Sequence, residues 1–383
     1  MDKIEKIKIL SDLIEINTVD QNEKLVADYI GNLFTQHGIS FVINEVEENR
    51  ATLVAEIGVK KSPKILGLSG HADTVSAGDL NKWTYNPFEA TIEGDRIYGR
   101  GSSDMKSGLA AQVIALIELV EENNLPEGTV RFLMTNNEED GASGAKVLTE
   151  QGYSKDLDGL IISEPTGGNV VYAHCGSLNY RVKSHGKAWH SSAPQNGINA
   201  ITNLMAFAEK EPTLFDEFED DPILGSLAHS ITKIEGGHQI NSIPEYAELS
   251  GNIRPTATAS NQAIIDILTQ TIEQLNQNLA GHLELEIIHD FYPVVTKPDN
   301  PLIQQLASLS TTNFNRPAEL KIIHGATDAS DFVKVNPTVP VAVFGPDAWE
   351  NAHQVDEFTT ISSYLSAITT LKQIISQFFN NFE

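Results

Sequence analysis

The sequence predicts an α/β protein of two domains, the second inserted into the first, and three observations carry that expectation. The chain has 383 residues, beyond the length at which a single core keeps growing, so it should divide. Up to about residue 176, helical and strand patterns alternate, as in layered α/β structures. From Ser177 the pattern changes to strand, helix, strand, strand, helix, strand, and after Asp299-Asn300-Pro301 the alternating pattern returns.

In the first part, Ile65-Leu66-Gly67-Leu68-Ser69 is a short buried-strand run. Gly99-Arg100-Gly101-Ser102-Ser103-Asp104 reads as a turn, after which Leu109, Val113, Leu116 and Val120 recur at helical spacing. Val130 to Met134, Leu160 to Ile162 and Val341 to Phe344 are further strand runs, expected in one central mixed sheet. In the inserted part, Leu178 to Val182, Leu227 to Ile234, Tyr246 to Ile253 and Leu283 to Ile288 read as strands. Ile198, Ile201, Met205 and Ala208, then Ile264, Leu268, Ile272 and Leu275, mark two helix faces. The order βαββαβ is that of a ferredoxin-like split βαβ unit. The expected division is 1–176 with 289–383 as one discontinuous domain and 177–288 as the insert.

Polar side chains able to bind metal follow the strand runs. They are His71, Glu139 and Glu164, with His353 on a loop after Val341–Phe344 and Asp104 at the end of the glycine turn. In open α/β sheets ligands gather where strands end. A single catalytic zinc takes three protein ligands and keeps one open position; two imidazoles and three carboxylates therefore suit a pair of divalent ions with one carboxylate shared. Glu138 is then left over beside Glu139, free to move protons. Asp73 is expected to orient His71, because a metal-bound histidine usually gives its second N–H to a carboxylate. Each residue alone has a plainer explanation: a core histidine, a solvated loop acid, a surface histidine, or, for Asp104, the cap of the helix that follows. Their joint occurrence points to a dinuclear metallohydrolase.

Composition narrows the partners. A formal net charge of −26 argues against nucleic acid, which requires clustered Lys and Arg. No run approaches the roughly 18 apolar residues of a membrane-spanning helix. Met1 to Ile7 mixes charge with apolar residues and lacks a secretory h-region, so a cytoplasmic location is expected. Cys175 is the one cysteine, which closes the zinc-thiolate option; beside Val170-Val171-Tyr172 it reads as a small buried hydrophobe.

The motifs Ser69-Gly70-His71-Ala72-Asp73-Thr74-Val75, Trp83 to Phe88, Tyr98 to Lys106 and Thr135 to Asp140 recur in a known order. Ser163-Glu164-Pro165, Gly186 to Ser192, Gly236 to Pro244 and Ala352-His353 continue that order across nearly the whole chain. In these segments the chain resembles the dinuclear-zinc aminoacylase and carboxypeptidase family, within it the succinyl-diaminopimelate desuccinylase and acetylornithine deacetylase branch. The resemblance implies a metallopeptidase-like catalytic domain with a lid and dimerisation domain inserted into it. It implies that Asp104 bridges two zinc ions (cobalt or manganese being alternatives), that His71 and Glu164 complete one site, and that Glu139 and His353 complete the other. Glu138 would be the general base. His190 would reach a neighbouring active site in a homodimer, and Asn241, Arg254 and Thr327 would contact substrate.

The implied reaction is amide hydrolysis of an N-acyl amino acid, first N-succinyl-LL-diaminopimelate, a step of lysine biosynthesis, then N-acetylornithine or a short peptide. Asp140 stands where glycine is frequent, and Gly325-Ala326-Thr327-Asp328 departs from the glycine-rich loop of desuccinylases, so the acyl group is less defined than the chemistry. A metal-binding homologue without catalysis is the alternative from another class; retention of Glu138 argues against it.

Overall fold

The apolar runs around Leu66, Phe132 and Ile161 become neighbouring parallel strands. A computed structural model describes residues 1–379. Strand Ile65–His71 lies between Thr129–Thr135 and Gly159–Ile162, with His71 opposite Thr135 and Ser69 opposite Ile162. Every residue of Thr129–Thr135 is buried, as expected of a central strand covered on both faces. Val341–Val343 adds a parallel strand beside Gly159–Ile162, while Arg50–Ile57 and Phe41–Glu47 extend the other side antiparallel. Among the described residues this mixed sheet has nine strands. The parallel register has one consequence for function: residues just beyond His71, Thr135 and Ile162 emerge at the same edge.

The helix expected after Asp104 runs Lys106–Glu121 and is buried from Lys106 through Leu119. Apolar on nearly all sides, it is a core helix; Ile361–Phe378 and Lys3–Glu15 pack against it. Gly108 lets it sit low on the sheet, since a Cβ there would lie 1.8 Å from the Ser163 carbonyl oxygen, one residue before Glu164. Gly108→Ala should therefore cost about 1–3 kcal/mol, the usual range for overpacking, and should weaken metal binding by displacing Glu164. Thermal melting of the variant checks this; an unchanged midpoint would mean that the contact relaxes freely.

A second compact unit comprises His174–Val294 with Ile323–Ala326. Its sheet has the order Ala228–Gly236, Tyr246–Arg254, Ser177–His185, His282–Phe291, all antiparallel. That is the strand order of the split βαβ arrangement. Leu178, Tyr180, Val182 and Ser184 are buried, while Asn179, Arg181, Lys183 and His185 face the other way, the two-residue period of a sheet covered on one face. Leu204 and Phe207 of helix Ala200–Ala208, with Ile264 and Leu268 of Asn261–Asn276, complete that core. The unit starts and ends a few residues outside the 177 and 288 expected from sequence. The last strand runs on to Phe291, and the amides of Cys175 and Gly176 donate to the carbonyls of Ile323 and Pro255. Cys175 is buried as a free thiol. No helix among the described residues is long and apolar enough to cross a membrane.

Candidate metal centre

His71 ends its strand with Nε2 3.1 Å from Asp104 Oδ1 and 3.7 Å from Glu164 Oε1. On the other side of Asp104, Oδ2 lies 3.4 Å from His353 Nε2, which is itself 3.0 Å from Glu139 Oε1. The two oxygens of one carboxylate thus each face a different histidine, and each histidine has its own glutamate. Ligand atoms of His71, Asp104 and Glu139 lie within 4.8 Å of one another. Asp104 is not the cap of the following helix: that position belongs to Met105, which makes no side-chain cap. The two halves differ in exposure, the His71 side chain being 1% exposed and that of His353 48%.

The electrostatics of this cluster ask for positive charge. Burial, with the neighbouring charges of Asp104 and Glu138, pushes the Glu164 carboxyl well above the ordinary range. Its Oε2 is buried with no hydrogen-bond partner among the described residues, a costly arrangement for a carboxylate oxygen. Glu138 is pushed well up by burial and by Asp328, Glu139 and Asp104, against the opposing pull of His71. Burial raises Glu139 too, although its contact with His353 opposes this. Burial would raise Asp104, but hydrogen bonds from His353 and His71 outweigh it and hold the carboxyl below the usual range. For His71, burial works against protonation and is outweighed by Glu164, Asp104 and Asp73. His353 is pushed up to about 10 by its contacts with Asp104 and Glu139. Crowded carboxylates, one orphaned buried oxygen and two imidazoles aimed at the same carboxylate make a donor set that fits divalent cations.

Asp73 supports the centre by a different contact from the one expected. His71 Nδ1 is 3.0 Å from the backbone oxygen of Asp73, whereas the nearest carboxylate oxygen of Asp73 is 3.6 Å away. The carbonyl can accept only from a protonated Nδ1, so Nε2 is the nitrogen turned towards Asp104 and Glu164, and in the neutral ring it carries the lone pair that a metal would take. The Asp73 carboxylate instead accepts the backbone N–H groups of Glu138 at 3.0 Å and Glu139 at 3.1 Å. It clamps the turn that carries both glutamates. The Glu138 carboxylate itself accepts no hydrogen bond among the described residues and is partly buried beside the cluster.

Several buried polar groups of the centre were not singled out from sequence. Glu357 accepts N–H from Ser103 and Asp104 and pairs with Arg100. Lys106 donates to the Ile16 carbonyl at 2.7 Å, and burial pushes its ammonium down to about 7. Asp328, pushed up to about 7 by burial, accepts from the Thr135 hydroxyl. Thr327, by contrast, was expected from sequence to contact substrate; it is buried, and its hydroxyl accepts N–H from Ala329. The glycine turn carrying Arg100 and Lys106 was the one available signal; Glu357 had none.

In the second unit, His190 lies in the short strand Trp189–His190, paired with Ser242–Ile243. The Asn241 carbonyl accepts from Ser191 N–H, which places Asn241 next to His190. Nδ1 of His190 accepts N–H from Ser192, so the neutral ring carries its proton on Nε2. Arg254 ends the strand Tyr246–Arg254, whose other end, Tyr246, pairs with His185.

The model of Peptidase family M20/M25/M40 matches residues 67–377. A probable succinyl-diaminopimelate desuccinylase of Staphylococcus aureus (strain MRSA252) is 39% identical over 401 residues, covering 98% of this chain and 97% of that protein. Among solved structures, the M20 family metallo-carboxypeptidase Sso-CP2 from Sulfolobus solfataricus superposes with a TM-score of 0.81 at 18% identity, covering 99% of this chain and 100% of that one. A tripeptidase from Staphylococcus aureus gives 0.76 at 20% identity, with both chains fully covered. The chain is a hydrolase and belongs to peptidase family M20/M25/M40.

Proposed function

We propose that this chain hydrolyses the amide bond of an N-acyl amino acid at two metal ions, with N-succinyl-LL-diaminopimelate as its leading substrate. The observation that carries the chemistry is the division of Asp104 between two histidine–glutamate pairs, with an uncommitted Glu138 beside them. His71, Glu164 and Asp104 would hold one ion, and His353, Glu139 and Asp104 the other. Zinc is the first choice for both, cobalt or manganese the alternatives. Bound there, the ions supply Lewis acidity that acidifies water and polarises an amide carbonyl.

The remaining steps belong to side chains. Glu138 takes a proton from the attacking water. It returns that proton to the amide nitrogen, a poor leaving group unless protonated. The Asp73 clamp keeps Glu138 and Glu139 moving as one turn, so base and ligand stay in register. His190, with its proton on Nε2, can donate to the developing oxyanion. The products are a carboxylate and a free amino acid.

The substrate rests on the 39% identical relative's name; acetylornithine and di- or tripeptides are the competitors. A screen of all three at equal concentration reports relative kcat/KM directly. Succinyl-diaminopimelate is expected to lead, and preference for a peptide would assign the chain to peptide cleavage instead.

The second unit is proposed as lid and dimer interface. Within it, His190 lies in a two-stranded ladder with Ser242–Ile243, separate from the four-stranded sheet, and Arg254 ends the strand that begins at Tyr246. The resemblance to the family favours an isologous dimer in which His190 reaches the partner's metal centre. Mixing a His190→Ala chain with a Glu138→Gln chain should then regenerate sites with Glu138 from one subunit and His190 from the other. Confirmed subunit exchange without a rise above the parents would rule out delivery of His190 from the partner.

A further inference from the structure

The loop carrying His353 and the turn carrying Asp104 are far apart in sequence, and a small sheet brings them together. Phe358–Thr360 pairs antiparallel with Arg96–Tyr98. One strand therefore leads out of the His353 loop, while the other leads into the glycine turn that ends at Asp104. At the head of this ladder the Gly99 N–H donates to the Glu357 carbonyl at 2.9 Å. There the Glu357 side chain, 0% exposed, turns inward. Oε1 accepts N–H from Ser103 at 2.8 Å and from Asp104 at 3.0 Å, and Oε2 pairs with Nη1 of Arg100. Arg100 is fixed in turn, donating to the Ser76 carbonyl and lying over the Trp83 ring. Next to Glu357, Asp356 accepts N–H from Thr84 at 2.7 Å.

The two halves of the metal centre differ in how they are held. His71 closes a strand of the main sheet and Glu164 follows another two residues after its end, so the parallel register fixes both. His353 sits on a half-exposed loop at φ 61°, and its loop is tied down on the C-terminal side through Asp356 and Glu357. We infer that Glu357 is a positioning residue that anchors the half-exposed His353 loop to the Asp104 turn, itself held by the buried helix Lys106–Glu121, and so sets the affinity of the Asp104–Glu139–His353 half of the centre. The inference rests on the dinuclear reading above. It explains why a buried carboxylate, expensive unless fully paired, stands at this position: one group must accept from two backbone amides and a guanidinium at once. A glutamine keeps the shape but has one accepting oxygen, so its NH₂ must face either the amides or Arg100.

Stepwise zinc affinities of the full-length protein, measured by chelator competition, test this. Wild type is expected to bind two ions. Glu357→Gln is expected to weaken the second by about 10- to 100-fold, the usual effect of losing a supporting contact, and to leave the first within about threefold. In a His353→Ala background, where only the His71 half holds an ion, adding Glu357→Gln should leave that affinity unchanged. If Glu357→Gln does not fold, Arg100→Lys, which replaces the planar fork by a point charge, should weaken the same ion. Equal weakening of both ions, or of neither, in a folded variant overturns the positioning role. A wild type that binds fewer than two ions overturns the dinuclear reading itself, and the inference with it.

Discussion

Glu138→Gln should retain both ions and lose roughly 10²- to 10⁴-fold in kcat, the usual contribution of a general acid–base group. The two side chains have nearly the same shape, and the backbone N–H of residue 138 still donates to Asp73. Glu139 is held by its own N–H on the same carboxylate, so the ligand beside the substitution stays in place. What disappears is the capacity to take a proton from water and pass it to the departing nitrogen. Metal analysis alongside steady-state kinetics separates the two effects. Wild-type turnover by a folded, metal-loaded variant would remove Glu138 from this role.

Asp104→Ala should abolish both metal sites together. Each of its oxygens faces one histidine, so its loss removes a ligand from both halves at once. The effect should exceed the roughly 10- to 100-fold that loss of a merely supporting contact produces. Were Asp104 only a helix cap, its removal would cost about 0.5–2 kcal/mol of stability and leave metal binding intact. The Met105 N-cap position already speaks against that alternative. Two ions bound at full affinity in Asp104→Ala would contradict the shared-ligand arrangement.

Much of this centre was legible because its residues sit next to strong local signals. Strand runs are readable from their apolar pattern, and His71, Glu139 and Glu164 each lie within four residues of a strand end. Asp104 closes a glycine-rich turn before a continuous apolar helix, a local pattern again. The contact of Asp73 was not readable. Its spacing from His71 is local, but the carboxylate meets the amides of residues 138 and 139, and only the folded sheet brings these near. Glu357 escaped for the same reason, since all its partners lie in a turn some 250 positions earlier. Lys106 opens its helix and is buried, its ammonium held by the Ile16 carbonyl, a partner 90 positions earlier that no local pattern announces. The edges of the second unit moved outward because its last strand continues through His289, Asp290 and Phe291, where apolar alternation has already broken down.

The most direct test is reconstitution. Chelator-treated protein is titrated with zinc while amide hydrolysis of the best substrate from the competition screen is followed and bound metal is counted. Activity should be absent without metal and rise until two ions per chain are bound, with Glu138→Gln taking up the same two ions and remaining nearly inactive. Full hydrolysis by the metal-free protein, or a plateau at one bound ion, would contradict a dinuclear centre built on Asp104.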